Sequence, residues 1–119
     1  MGGVISIGES EEDVWLVAGW AYRGVLDHLR EAVKGQADLE QAIGKAEIFQ
    51  ALSFDRLEPG IADRLARALL CIIDEIVAGM RQVQVDGRIL DETRQTQFRE
   101  AAAELRPVIV RWAGPPPPG

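Results

Sequence analysis

Few side chains in this sequence could do chemistry, and they are scattered. His28 is the only histidine and Cys71 the only cysteine. His28 is therefore the one side chain whose ordinary pKa lies near neutrality. Around it stand Tyr22, Arg23, Asp27 and Glu31. Arg23 and Asp27 are four apart, the spacing of a helical ion pair, and Glu31 follows Asp27 by the same interval. That pattern predicts a solvated helix face carrying intrahelical pairs. No serine or second histidine stands where it would complete a nucleophile and base. Cys71 lies in the run Ala68-Leu69-Leu70-Cys71-Ile72-Ile73, which predicts a core thiol without a base beside it.

Metal and phosphate chemistry find no better footing. One His and one Cys, far apart, make no zinc set. No Asp-x-Asp-x-Asp-Gly calcium loop, Glu-x-x-His pair or glycine-rich phosphate loop occurs, so neither a metal nor a cofactor is expected. Asp74 and Glu75 interrupt an apolar run and share a polar stripe with Asp63, Arg64, Arg67 and Arg81. Unpaired charge is costly to bury, so that stripe must reach water or pair with a neighbour. If the chain bound a small molecule or were an enzyme, Tyr22, His28 and Asp74 are the groups a site between helices would use.

The elements that must position these residues read as helices. Residues 1–9 form an extended arm; Val4-Ile5-Ser6-Ile7 alternates too briefly to decide for a strand. Ser10 is a good N-cap, followed by Glu11, Glu12 and Asp13, which suit the positive end of a helix dipole. A first helix is expected from there to Lys34, with Gly35 as a left-handed stop. Ala37 to Leu52 reads as a weaker helix interrupted by Gly44. Pro59 fits the first turn of a third and central helix running to about Gln82. Residues 83–90 centre on Asp86-Gly87, a turn signal compatible with either a small hairpin or an interhelical loop. Asp91 caps a fourth helix, in which Pro107 should cause a kink. The tail, 114–119, is Pro-rich and expected to be extended. The expected fold is thus all-α: a four- to five-helix bundle over 10–113 with an extended arm, a possible minor hairpin and a Pro-rich tail.

Size and charge bound the function. With 119 residues, 47% hydrophobic and 27% charged, the chain has the composition of one ordinary globular domain. Residues 1–60 hold 11 acids and 5 bases, while 61–119 hold 8 of each, so the whole net charge of −6 belongs to the first half. Such acidity opposes nucleic-acid binding, which needs a basic face. No segment is long and apolar enough to span a membrane, and no secretory leader is evident; a cytoplasmic location is expected. Gly2 and Ser6 fit the loose acylation pattern, but acids follow where bases would assist anchoring.

The feature left over is Val14-Trp15-Leu16-Val17-Ala18-Gly19-Trp20-Ala21-Tyr22, apolar almost all round. On a helix, Trp15, Tyr22, Leu26, Leu29 and Val33 can form one face looking into the domain while Leu16 and Trp20 project from another side. Both are hard to bury, and Trp and Tyr concentrate at binding hot spots. The expectation is a non-catalytic interaction module, self-associating or docking a protein partner through Trp15, Leu16, Trp20, Tyr22 and Arg23. One concrete form is an acidic inhibitor or immunity-type protein covering a basic site.

Overall fold

A computed structural model describes residues 2–113. The fold is mixed rather than all-α: four helices are joined by two small sheets. The arm is a true strand, β1 (Gly2–Ser6), and it lies at the centre of a three-stranded sheet. On one side it pairs antiparallel with β2 (Val14–Ala18), matching Ile5 to Trp15; on the other it pairs parallel with β3 (Ala51–Ser53), matching Ile5 to Leu52. The period of two sends Ile5, Trp15 and Leu52 inward together, and all three are buried.

The first helix is therefore much shorter than its acidic start suggested. Ser10 precedes a single 3-10 turn, Glu11–Asp13, without a side-chain cap bond, and the chain then extends as β2. Arg111 closes this turn from the far end of the chain, reaching Asp13 at 2.9 Å and Glu12 at 3.5 Å. Only at Gly19 does α1 (Gly19–Ala32) begin. Val14 and Val17 are β-branched, and an apolar run without helical gaps is as good a buried strand as a helix. Once β1 is available as a neighbour, the strand prevails.

Gly35 takes the expected left-handed conformation, with φ +93°. Helix α2 (Ala37–Phe49) ends at Gln50, also left-handed at φ 53°, releasing the chain into β3. Helix α3 (Pro59–Val77) starts with its proline in the first turn and buries Leu65, Leu69, Ile72, Ile73 and Ile76. The Asp-Gly signal resolves as a hairpin: β4 (Gln84–Val85) and β5 (Arg88–Ile89) pair with each other and leave β1 alone. Both turn residues have positive φ, 53° at Asp86 and 79° at Gly87, as a type I′ turn requires. Asp91 accepts the Arg94 N–H at 2.8 Å, capping α4 (Glu92–Ala113), which continues through Pro107. The proline-rich tail lies outside the described residues.

One apolar core unites these pieces. Leu26 and Leu29 of α1, Leu39 and Ile43 of α2, the buried face of α3, and Phe98, Leu105 and Ile109 of α4 meet the inner face of the larger sheet. Cys71 is not part of it: the thiol stands exposed on the outer side of α3. Leu69, Ile72 and Ile73 take the inward positions, and residue 71 falls on the opposite side of the turn.

Candidate interaction surface and polar groove

The structure divides the aromatic run instead of exposing it. Trp15 is 4% exposed and donates its indole N–H to the Ala101 carbonyl at 3.0 Å, fastening β2 to α4. Tyr22, 2% exposed, donates its hydroxyl to the Ala46 carbonyl at 2.8 Å. Burial, reinforced by the nearby Glu47 carboxylate, raises its pKa well above the usual phenol value. Both are core groups and leave the interaction surface. Trp20 is half-buried, tilted against Phe98 on one side and covered by the Arg94 guanidinium at 4.7 Å on the other. Arg23 is exposed and pairs with Asp86 at 3.2 Å.

Leu16 alone of the expected set projects freely, at 76% exposure. Its position follows from register. The pairs Leu16–Val4–Ala51 and Val14–Ser6–Ser53 run across the outer face of the sheet, with Ala18 opposite Gly2 at the end. No residue of this outer layer is buried, and none carries a charge. A sheet with one solvated face ordinarily alternates apolar inward with polar outward; this one presents valines, alanines and a leucine to water, with Ser6 and Ser53 its only polar side chains. Among the described residues β2 is also an edge strand, bordered by β1 alone. Beside it, Glu9, Glu11, Val14 and Leu16 line an open depression of about 350 Å³, with carboxylates next to apolar side chains. The uncharged run 14–22 was legible beforehand, and the helical period already set Leu16 on the side away from Trp15 and Tyr22; the strand period likewise keeps Leu16 and Trp15 on opposite faces.

A second concavity lies elsewhere and is polar. Asp27, His28 and Glu31 of α1 face Arg81, Gln82, Gln84, Asp86 and Gly87 across a groove of about 440 Å³. His28 forms its inner wall at 5% exposure. Its Nε2 accepts the Gln84 backbone N–H at 3.3 Å, and its Nδ1 lies 3.4 Å from the Arg81 guanidinium. Burial lowers the His28 pKa below its ordinary 6.5, and the Arg81 charge adds to that effect against the opposing pull of Glu31, Asp27 and Glu75. The imidazole is accordingly neutral at pH 7. Arg81 is held in turn by Glu75 at 2.7 Å.

Tyr22, His28 and Asp74 do not converge. Tyr22 is spent on Ala46, His28 faces residues 81–84, and exposed Asp74 pairs with Arg106 at 2.8 Å. Among the described residues no group of three or more His, Cys, Asp or Glu side chains could hold a metal ion, and no helix is long and apolar enough to cross a membrane. No family model, curated protein or solved structure matches the chain, so its function must be argued from this geometry alone.

Proposed function

We propose that this chain is a non-catalytic interaction module that docks an extended, basic segment of a protein partner along β2. The observation that carries the reading is the uncharged outer face of the sheet, with Leu16 projecting from a free strand edge. An edge strand offers unpaired backbone groups to an incoming strand, and the side chains beside it select which strand is accepted. Leu16 and Val14 favour apolar partner residues; Glu9 and Glu11 favour Lys or Arg between them. Charge also chooses between a foreign segment and a second copy. Two copies meeting at this edge would bring two acidic halves together, which like-charge repulsion opposes. An inhibitor or immunity-type role, in which the acidic module covers a basic site, is the form this reading takes if the partner is an enzyme or toxin.

Selection from a displayed library of random peptides tests it directly. The expected winners alternate apolar and basic residues and bind more weakly as salt rises. Burying Leu16 should contribute about 1.5–3 kcal/mol, so Leu16→Lys should weaken the selected peptides by about tenfold to a hundredfold. Its circular dichroism should match the parent, because the side chain is already in water. Peptides that bind Leu16→Lys equally well would sink the proposal. Sedimentation showing a dimer that Leu16→Lys dissociates would replace the foreign segment by a second copy.

A further inference from the structure

The His28 contacts carry an inference that is independent of the sheet face. A neutral imidazole has one nitrogen that accepts and one that donates. Here both nitrogens face donors: the Gln84 N–H at Nε2 and the Arg81 guanidinium at Nδ1. The Gln84 bond places the proton on Nδ1, so the contact with Arg81 already sets donor against donor. Adding a second proton would turn Nε2 into a donor as well and place a cation beside Arg81. The Gln84 amide has this imidazole as its partner, because β4 pairs with β5 through its other edge.

We propose that His28 is an acid-sensitive latch: protonation releases residues 81–84 from α1 and widens the groove while the rest of the fold stays intact.

The charged groups around the imidazole set how the latch works. From α1, Asp27 and Glu31 favour the imidazolium; from α3, Glu75 does the same; Arg81, on the segment after α3, opposes it. The ring of Phe98 on α4 packs at 6.3 Å and supplies no charge. Val83 and Val85 anchor the hairpin in the apolar interior, and its other polar ties are carboxylates: Asp27 accepts the Asp86 N–H at 3.0 Å, and Asp86 pairs with Arg23. Neither tie involves the imidazole, so the turn remains tied while the Gln84 contact is lost, and the segment loosens at its base.

The test uses the whole chain. With a single histidine, its ring signals in a nuclear magnetic resonance titration need no assignment, and hydrogen exchange reports the Gln84 amide in the same samples. The expected result is that His28 takes up its proton below pH 6.5. Gln84 protection should fall with it by up to about tenfold per pH unit, the limit for one linked proton, while the amides of Leu69 and Ile73 stay protected. In His28→Gln, whose side-chain oxygen can accept the same N–H at any pH, this acid loss should vanish. Three results would overturn the latch: a histidine that titrates while Gln84 protection holds, one that stays neutral until the α3 amides are lost, or an undiminished acid response in His28→Gln.

Discussion

Tyr22 and Gly3 show how closely single residues are fitted in this core. A Cβ on Gly3 would stand 2.1 Å from the Tyr22 ring, so β1 lies directly on the ring's face. Gly3→Ala should therefore cost about 1–3 kcal/mol through overpacking, read as a lower urea midpoint with an unchanged slope. Tyr22→Phe is a gentler change. The Ala46 carbonyl also accepts the Gln50 N–H, so losing the hydroxyl leaves it with one partner. The expected loss is about 1 kcal/mol, the net worth of one hydrogen bond and not the larger cost of an orphaned group. A loss several times greater would mean that the helix end at Gln50 also gives way.

At the scale of elements, the β4–β5 hairpin depends on a turn that few residues can make. Gly87 sits at φ +79° with nothing near its missing Cβ, so Gly87→Ala should strain the backbone without a clash. About 1 kcal/mol of destabilisation is expected, with the first loss of exchange protection at Leu90, whose N–H bonds to the Val83 carbonyl across the hairpin. This turn, the left-handed Gly35, the proline opening α3 and the Asp91 cap were all readable beforehand, because each depends on one residue's own conformational preferences. The larger sheet was not. Val4–Ile7 is too short to declare itself, and Ala51 and Leu52 look like the end of a helix, with Ser53 opening a loop. Residues 51–53 become a strand only beside β1, and 47 residues separate the bonded Ser6 and Ser53 hydroxyls. The same blindness turned Ser10 into a helix cap. It also placed Cys71 inside, where a single apolar run gave no sign of which side of α3 would face water. For the surface, Leu16 was among the expected residues; periodicity already turned Trp15 and Tyr22 inward, and what it did not reveal was their hydrogen-bond partners, Ala101 and Ala46.

For the molecule as a whole, pH links the groove to stability. The folded state lowers the His28 pKa below 6.5, so the unfolded chain takes up a proton first as the solution is acidified. The contribution is full above about pH 6.5 and declines as pH falls below it, by no more than about 1.4 kcal/mol per unit. Asp38, which Arg64 holds below the ordinary carboxylate value of 3.8, adds its own loss only in stronger acid. Urea midpoints measured from pH 7.5 to 5 should therefore fall in the parent and stay nearly level in His28→Gln. The tie between Trp15 and Ala101 has a further consequence, in time rather than in energy. It joins positions 86 apart in the chain, and the central strand needs β3 as well as β2. Contacts so distant in sequence make folding slow relative to local helix formation. During synthesis, β1 and β2 leave the ribosome long before α4 exists to cover Trp15. For that interval the growing chain carries an unpaired strand edge and a bare indole, the kind of transient exposure that favours aggregation until α4 arrives.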